Sequence, residues 1–295
     1  MYPKLGYNED RKTKGKNMFL IKEKKSLREA VTQMVIYAPN VTKHAKVGQF
    51  VMIRTHEHSE RIPLTIADKD IDHGTISIIF QIVGKSTYEL NQLQEGDSIL
   101  DVAGPLGKAS ELDGVSRVLL IGGGVGCAIL YPIAKELNHK NTEIYTIIGF
   151  RNQSLIFLED EFMTVSNRFN LLTEDGSYGQ KGLVTELLER ALDEGIVYDK
   201  VIAIGPIPMM KAVSEITKRY RIPTVVSMNP IMVDGTGMCG GCRIQVGGQM
   251  KFACVDGPEF DGHQVDFDLA MKRNSLYREH ERLDYKDVLK KGEQS

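Results

Sequence analysis

Four side chains in the last quarter of the chain have the types and spacing of an iron–sulfur site. They are Asp234, Cys239, Cys242 and Cys254. Plant-type [2Fe–2S] sites use C-x4-C-x2-C and a more distant fourth cysteine, so aspartate stands here in the place of the first cysteine. The glycines between these residues suit a loop that wraps around inorganic sulfides and points its N–H groups at them. The spacing predicts a [2Fe–2S] cluster and single-electron chemistry.

Two other ligand sets compete with this one. The three loop cysteines together with His263 would make a zinc site, because C-x2-C is also a zinc spacing. Structural zinc sites usually carry a second pair of ligands at similarly close spacing, and His263 stands alone. Cys127 is a rival fourth cluster ligand, but it opens a predicted helix in another motif, where a small buried hydrophobic residue is expected. We therefore favour Asp234 and keep zinc as the alternative.

The composition is that of an ordinary protein of two or three domains. The chain has 295 residues, 42% of them hydrophobic, and a net charge of −2. This charge gives no reason to expect nucleic acid, and no apolar run approaches the roughly 18 residues of a membrane helix. Residues 1–17 are polar and basic without an apolar core, so they predict a disordered extension rather than a secretory signal. Cysteines gathered for metal binding favour a cytoplasmic location.

The elements that must position this loop follow two different patterns. Up to about residue 110, short alternating segments separated by turn residues predict a small β barrel. These segments are Thr32–Ala38, Gln49–Thr55, Thr75–Val83 and Ser98–Ala103. From about residue 114, apolar strands alternate with helices, which predicts a doubly wound parallel sheet. The strands are Val118–Ile121, Glu143–Ile148 and Val201–Ile204, and the helices are Cys127–Leu137, Leu158–Met163, Leu183–Glu194 and Met209–Tyr220.

A glycine-rich turn joins the first predicted strand of this sheet to its helix. It contains Gly122, Gly123, Gly124 and Gly126. Glycines let the chain turn sharply and bring backbone N–H groups and a helix N-terminus against a pyrophosphate, although the pattern is not a strict G-x-G-x-x-G. The Gly205-Pro206 turn follows a later strand and is expected at the carboxyl edge of the sheet, where ligands of open α/β folds bind. The sequence therefore predicts a dinucleotide site, with an ordinary turn as the alternative at Gly205-Pro206.

Two short motifs in the barrel region have the chemistry of a flavin site. The first is Arg61-Ile-Pro-Leu-Thr65, whose arginine suits a pyrophosphate and whose threonine hydroxyl can bond a flavin ring nitrogen. The second is Gly84-Lys-Ser-Thr87, which can present N–H and hydroxyl groups to a phosphate. Each motif alone is a weak signal, and a solvated strand end is the alternative.

Taken together, these motifs resemble those of the ferredoxin–NADP reductase-like electron-transfer subunits. This family includes the electron-transfer subunits of dihydroorotate dehydrogenases and sulfide dehydrogenases. Within it, the likeness is to the small subunits of NADH-dependent reduced ferredoxin:NADP oxidoreductases, the electron-bifurcating transhydrogenases. The resemblance covers residues 18–280, and its most specific parts are Asp234–Cys242, Lys251–Gly262 and Thr173–Gly179.

The resemblance implies a role for each motif residue. Arg61, Pro63, Leu64 and Thr65 would line FAD, with Gly84, Ser86 and Thr87 on its pyrophosphate. Gly122, Gly123, Gly124, Gly126, Asp175, Gly205 and Pro206 would surround the nicotinamide nucleotide. Two positions depart from other members of the family. Ile204 stands where many distant reductases carry cysteine, and Asp234 favours the transhydrogenase or sulfide dehydrogenase branch over dihydroorotate dehydrogenases.

The expected organisation follows from these motifs and patterns. We expect an extension at residues 1–17, an FAD-binding barrel at 18–110, a nicotinamide-nucleotide domain at 111–228, a [2Fe–2S] domain at 229–268 and a helical tail at 269–295. The tail carries many charges, so a surface helix is predicted.

The resemblance also implies a function. NADH or NADPH would exchange a hydride with FAD, and the cluster would relay single electrons to a larger flavoprotein subunit with [4Fe–4S] clusters and, through that complex, to ferredoxin. The cofactors supply this chemistry, so no catalytic side chain is expected. Arg151, just past the second strand of the sheet, is a candidate contact for the 2′-phosphate of NADP. The alternatives are an electron-transfer subunit of dihydroorotate dehydrogenase and, in another class, a zinc-stapled nucleotide-binding regulatory module.

Overall fold

The computed structural model of the chain describes residues 19–292, apart from the side chains at positions 278, 291 and 292. The extension predicted for residues 1–17 lies outside this range. Within it, no helix combines the length and the apolar character that crossing a membrane requires.

The first part of the chain is a six-stranded antiparallel sheet with the strand order β1-β2-β5-β4-β3-β6. Its strands are β1 (Ile21–Arg28), β2 (Val31–Tyr37), β3 (Phe50–Arg54), β4 (Ile62–Asp70), β5 (Thr75–Gln81) and β6 (Asp101–Leu106), with helices α1 (Pro39–His44) and α2 (Lys85–Gln92) between them. A bridge between Leu20 and Ser98 brings the two ends of the sheet together. Alternate residues such as Ile76 and Ile78 are fully buried in its interior. The predicted barrel is confirmed.

Two barrel strands, β1 and β4, were not predicted from the sequence, because neither shows a clear alternation of apolar and polar residues. β1 carries five charged residues among its eight, so its alternation is hidden. β4 contains Pro63, which is rare inside strands, and ends in Asp-Lys-Asp. The motif residues Ile62–Thr65 form the first part of β4 in the barrel wall, and the exposed Arg61 directly precedes this strand.

The second part is a seven-stranded sheet with the order β10-β9-β8-β7-β11-β12-β15. Its strands are β7 (Arg117–Gly123), β8 (Glu143–Phe150), β9 (Arg168–Thr173), β10 (Gln180–Lys181), β11 (Lys200–Ile204), β12 (Thr224–Ser227) and β15 (Glu259–Asp261), and its helices are α3 (Gly126–His139), α4 (Glu159–Val165), α5 (Val184–Asp193) and α6 (Ile207–Tyr220). All neighbours pair in parallel except β12 and β15.

Helices cover both faces of this sheet. On β7, Val118 and Leu120 belong to one buried cluster with residues of α3 and α4. Leu119 and Ile121 belong to the other cluster, with residues of α5 and α6. Successive residues of a strand point to opposite faces, so both faces of β7 are apolar. The doubly wound parallel sheet predicted from the sequence is confirmed.

The last part of the chain is built onto the other two. It contains the hairpin β13 (Arg243–Val246) and β14 (Gln249–Phe252), the short helix α7 (Ala253–Asp256), and the helices α8 (Phe267–Asn274) and α9 (Arg278–Gly292). β15 belongs to this part, and it pairs antiparallel with β12 at the edge of the seven-stranded sheet. At the other end, the ring of Tyr285 in α9 meets the edge of Tyr88 in α2, with 6.0 Å between ring centroids. The charged tail therefore forms two helices and contacts the barrel.

Candidate functional site

A cleft of about 1260 Å³ lies where the three parts of the molecule meet. The barrel contributes the motif residues Arg61, Pro63, Leu64, Thr65 and Thr87 to its lining. The α/β part contributes Val125 of the glycine-rich turn and Ala128 of α3, and the last part contributes Cys239, Gly240 and Gly241. Motifs that lie far apart in the sequence thus open onto one cavity.

Arg61 stands at the start of β4 on the barrel side of this cleft. Its Nη2 atom donates to Oδ2 of Asp101 at 3.0 Å, and 41% of its side chain is exposed. A guanidinium has five N–H donors in a fixed fork, so this bond orients the group and leaves other donors for an anion. The arrangement suits one phosphate of a dinucleotide.

The second barrel motif forms the N-terminus of α2. Gly84 caps this helix, and the hydroxyl of Thr87 accepts bonds from the N–H groups of Val83 and Gly84 at 3.0 and 3.1 Å. The Ser86 hydroxyl donates to a carboxylate oxygen of Glu60 at 3.1 Å. A methyl group added at Gly84 would meet nothing within 4 Å, so open space lies in front of it. Both hydroxyls are engaged locally, which leaves the helix N-terminus itself as the group available to an anion.

Arg54, which the sequence reading missed, also lines the cleft. It is the last residue of β3, and its Nε atom is buried without a hydrogen-bond partner among the described residues. A buried, unpaired donor of a charged group costs free energy unless a ligand satisfies it. An arginine that ends the apolar run Phe-Val-Met-Ile was the available signal. Arg54, Arg61 and the N-terminus of α2 outnumber Glu60, the one carboxylate that residues 19–292 place on this wall, and together they suit a flavin diphosphate.

The glycine-rich turn brings the N-terminus of α3 to the carboxyl edge of the parallel sheet. A Cβ atom at Gly126 would lie 2.4 Å from the carbonyl oxygen of Ile204, and one at Gly205 would lie 3.0 Å from Cα of Gly123. These glycines therefore allow two strand–helix turns to pack against each other. Gly124 has a φ of +53° and open space around its Cβ position. The N–H of Gly124 donates to the carbonyl oxygen of Gly149 at 2.9 Å, so the open space in front of the turn, rather than this N–H, fits a bound phosphate.

Asp175 lies beyond the end of β9, at the same edge of the sheet. Its Oδ1 atom accepts bonds from the N–H and the hydroxyl of Ser177 at 2.9 and 2.6 Å. These bonds, the hydroxyl bond first, lower the pKa of Asp175. Its own N–H donates to the carbonyl oxygen of Arg151 at 3.3 Å. Asp175 and Arg151 thus belong to neighbouring loops beside the glycine-rich turn. Asp175 supplies carboxylate acceptors there, and Arg151 supplies a cation.

The four predicted cluster ligands fall into two pairs. The sulfur atoms of Cys242 and Cys254 are 3.2 Å apart, and both residues are buried. Oδ1 and Oδ2 of Asp234 accept bonds from the N–H groups of Thr236 and Cys239 at 2.8 and 2.9 Å, and Cys239 is exposed. Among residues 19–292, no group of three or more such side chains stands close enough to hold one metal ion. The structure therefore brings together two ligands at a time rather than all four.

The surroundings shift the pKa of Cys254, in one pair, and the pKa of Asp234, in the other, in opposite directions. Burial first, and then Cys242, raise the pKa of Cys254 to about 12, while the N–H of Gly237 works in the opposite direction. That N–H acts on the Cys254 sulfur, as expected for a loop that wraps a cluster. Hydrogen bonds from the Thr236 N–H, and then from Cys239, lower the pKa of Asp234. Gly235, Gly237 and Gly240 have positive φ angles, which let the loop curl.

Neither rival ligand joins these pairs. Nε2 of His263 lies 3.0 Å from the hydroxyl of Thr217 in α6, and burial lowers the pKa of this histidine. Cys127 is completely buried in the core beneath the glycine-rich turn, where burial raises the pKa of its thiol. Cys127 is thus a core residue, as predicted.

A barrel, a doubly wound sheet and a cysteine loop that share one cleft define an NAD(P)H-dependent flavin and iron–sulfur oxidoreductase subunit of the ferredoxin–NADP reductase type. Comparison with known proteins agrees. Residues 229–266 match the iron–sulfur cluster binding domain of dihydroorotate dehydrogenase B. The chain is 46% identical to a chain in the structure of the NADH-dependent reduced ferredoxin-NADP oxidoreductase, which was described for flavin-based electron bifurcation. That match has a TM-score of 0.86 and covers 92% of this chain and 98% of the other.

Two relatives establish the family. The chain is 48% identical to a dihydroorotate dehydrogenase B (NAD(+)) electron transfer subunit homolog of Thermotoga maritima, over 93% of this chain and 97% of that protein. It is 34% identical to the dihydroorotate dehydrogenase B (NAD(+)) electron transfer subunit of Geobacillus thermodenitrificans, over 85% of this chain and 98% of that protein. The chain belongs to the family of dihydroorotate dehydrogenase B electron-transfer subunits and their homologues. The resemblance stated from the sequence is confirmed.

Proposed function

We propose that this chain is the FAD- and [2Fe–2S]-containing electron-transfer subunit of an electron-bifurcating transhydrogenase or a sulfide dehydrogenase. When bound, FAD would exchange a hydride with NADH, and the cluster would pass single electrons to or from a larger flavoprotein subunit. The observation that carries the proposal is the single cleft, which Arg61–Thr65, Val125 and Cys239–Gly241 all line. A common cavity would bring the flavin close to both the nicotinamide nucleotide and the cluster loop.

On the barrel wall, the protein would bind and orient the flavin. Arg54, Arg61 and the N-terminus of α2 would hold the diphosphate, because all three offer N–H donors or positive charge there. Pro63, Leu64 and Thr65 would flank the flavin ring. These residues are held in the β3–β4 ladder, where Thr65 pairs with Phe50, and the strand pairing keeps them in place.

On the opposite side, the glycine-rich turn would receive the nicotinamide nucleotide. Gly124 and the N-terminus of α3 would face its diphosphate, with Asp175 and the Gly205-Pro206 turn beside it. Val125 extends from this turn into the cleft, so the nucleotide and the flavin would meet there. Hydride transfer between the two rings needs contact and exclusion of water, and it needs no acid or base from the protein.

At the cluster loop, the two ligand pairs support a two-iron site. Each iron of a [2Fe–2S] cluster needs two protein ligands in addition to the bridging sulfides. Cys242 and Cys254 would serve one iron, and Asp234 and Cys239 the other. Cys239 borders both the cleft and the surface, and its neighbour Met238 is 90% exposed. This exposed edge would be the exit toward the larger subunit, which we propose carries [4Fe–4S] clusters.

A role in a dihydroorotate dehydrogenase is the second candidate, and the names of the relatives favour it. Asp234 in place of a cysteine, and the 46% identity to the ferredoxin-NADP oxidoreductase chain, favour the first. The zinc-stapled module loses support, because His263 bonds Thr217 and the loop matches an iron–sulfur domain. NADH is proposed as the nucleotide, with NADPH through Arg151 as the alternative.

Native purification tests this proposal. The isolated chain should carry one FAD and oxidise NADH with artificial acceptors, and the natively purified chain should come with a larger flavoprotein. A companion with [4Fe–4S] clusters and ferredoxin-dependent activity supports the bifurcating complex. A companion that oxidises dihydroorotate supports the second candidate, and a native monomer that reduces a physiological acceptor unaided contradicts both.

A further inference from the structure

The C-terminal helices line one side of the cleft. Residues 273–285, called the strap here, run from the end of α8 into α9. At one end, Nη2 of Arg273 donates to the carbonyl oxygen of Gly241 in the cluster loop at 3.4 Å. At the other end, Tyr285 packs edge-on against Tyr88, one turn into α2. The strap therefore connects the cluster loop to the helix whose N-terminus would hold the flavin diphosphate.

Between these two anchors, the strap presents side chains to the cavity. Leu276, Tyr277, His280, Glu281 and Asp284 all line the cleft. Leu276 and Tyr277 are 63% and 58% exposed. Large apolar side chains that stay exposed inside a cleft gain free energy when a flat apolar group covers them. The strap thus offers an uncovered aromatic surface next to hydrogen-bond acceptors.

The charges of the cleft decide which part of a ligand would meet the strap. The barrel wall carries Arg54, Arg61 and the N-terminus of α2, beside the carboxylate of Glu60. The strap lines the cleft with Arg273 at its cluster-loop end and with two carboxylates, Glu281 and Asp284, in the part that leads to Tyr285. Two carboxylates repel a diphosphate, so the diphosphate belongs on the barrel wall. Beside Glu281, Asp284 and the ring of Tyr277, a flat neutral group that is rich in hydrogen-bond donors is favoured over an anion. The adenosine half of a flavin dinucleotide has these properties, since it carries an aromatic base, an amino group and ribose hydroxyls.

We propose that the strap binds the adenosine half of the flavin and so selects FAD over FMN. The ring of Tyr277 packs on the adenine, and Glu281 accepts hydrogen bonds from the adenosine hydroxyl or amino groups. This inference rests on the proposed flavin function and adds the residues that discriminate between two flavins. FMN ends at its single phosphate, so it leaves the strap uncovered.

Titration of the flavin-depleted, full-length chain with FAD and with FMN tests the strap. Tyr277→Ala should raise the Kd for FAD about threefold to tenfold, the usual range for a lost aromatic contact, and leave the Kd for FMN unchanged. Glu281→Gln should act in the same direction. Leu289→Ala is the control, because Leu289 lies on the same helix and does not line the cleft. Melting temperatures without flavin verify that each variant folds.

The outcomes separate the strap from the proposed function. A lower preference for FAD over FMN in Tyr277→Ala, with the control unchanged, supports the strap. An unchanged Kd for FAD, or equal weakening of FAD and FMN, overturns it. A change in the KM for NADH alone would assign the strap to the nicotinamide nucleotide and also overturn it. A wild-type chain that binds neither flavin would instead contradict the proposed function.

Discussion

Asp234 distinguishes this loop from an all-cysteine one, because it is the only predicted cluster ligand that is a carboxylate. Its two oxygens accept bonds from the N–H groups of Thr236 and Cys239, so the carboxylate connects the two ends of the segment Asp234–Cys239. A carboxylate is a harder donor than a thiolate. An iron bound by Asp234 and Cys239 should therefore differ in potential and spectrum from one bound by two cysteines.

Substitution of Asp234 tests its assignment as a ligand. Asp234→Cys should restore the all-cysteine spacing and keep the iron, while both the midpoint potential and the electron paramagnetic resonance spectrum change. Asp234→Ala should lose iron or make the cluster labile. Cys127→Ser is the control, since Cys127 lies in the core away from the loop. If Cys127→Ser strips the iron and Asp234→Ala does not, the assignment is wrong.

Arg61→Ala should weaken flavin binding. The diphosphate would lose a charge-assisted partner worth about 1.5–3 kcal/mol, which corresponds to a Kd for FAD raised by roughly tenfold to a hundredfold. Arg117→Ala is a matched control, because Arg117 is also 41% exposed and paired with a carboxylate, but it does not line the cleft. Equal flavin content in both variants and the wild type would remove Arg61 from the site.

Single residues differ in how far the sequence could reveal them. Arg61 and the three loop cysteines stand in local motifs with fixed spacing, so their types and order carry the signal. Arg54 stands in no such motif. Its position in the cleft follows from the pairing of β3 with β4, which the local sequence does not show. The pairing of Cys242 with Cys254 also depends on the hairpin β13–β14, which brings two distant positions together.

At the scale of elements, the contact between two strand–helix turns supports the nucleotide site. Gly126→Ala would place a methyl carbon 2.4 Å from the carbonyl oxygen of Ile204, so one turn must shift. We expect a loss of about 1–3 kcal/mol in the free energy of unfolding, together with a higher KM for NADH. Gly84→Ala is the control for stability, since its φ is −164° and nothing lies within 4 Å of the added carbon. Equal stability of the two variants would contradict this account of the turn.

The contact between His263 and α6 predicts how stability depends on pH. Burial lowers the pKa of His263 from the ordinary value of 6.5, and Lys218 acts in the same direction while Asp261 opposes it. The folded state therefore binds this proton less tightly than the unfolded chain. Stability from this group is present above pH 6.5 and is lost as the pH falls toward the lowered pKa.

Urea unfolding at a series of pH values checks this dependence. The free energy of unfolding of the wild type should decrease below pH 6.5 more steeply than that of His263→Gln. The acid-labile cluster is common to both proteins, so their difference isolates the histidine. Identical slopes would show that His263 is not the source.

The sequence predicts elements best where the period is strong. Three strands of the α/β part, β7, β8 and β11, are visible because their centres are almost continuously apolar, and the helices are visible because they are amphipathic. The strands β9, β10 and β12 were not predicted, because they are shorter or interrupted by polar residues. β1 was missed because its exposed face carries charge after charge, and β4 because of Pro63 and a polar end. β15 has only three residues, and its pairing with β12 comes from tertiary contacts that no local pattern encodes.

At the scale of the whole molecule, the last part of the chain ties the other two together. β15 extends the sheet at β12, the side chains of Ser110 and Glu259 are hydrogen-bonded, and α9 lies against α2. The order of the domains was predictable from the motifs. That the motifs line one cleft was not predictable, because the cleft forms only when these contacts bring the three parts together. The boundaries at residues 110, 228 and 268 remain predictions.

In the proposed function, electrons pass between the nicotinamide nucleotide and the cluster through the flavin in the shared cleft. Rapid-freeze electron paramagnetic resonance of the reduced cluster tests this directly, in the chain with and without FAD. If the cluster potential lies above that of NADH, NADH should reduce the oxidised protein; if it lies below, NAD⁺ should reoxidise the dithionite-reduced protein. One of these two changes should occur rapidly with FAD and should be lost without it. A cluster that responds in neither direction when FAD is present, or that responds equally without FAD, would contradict the proposed function.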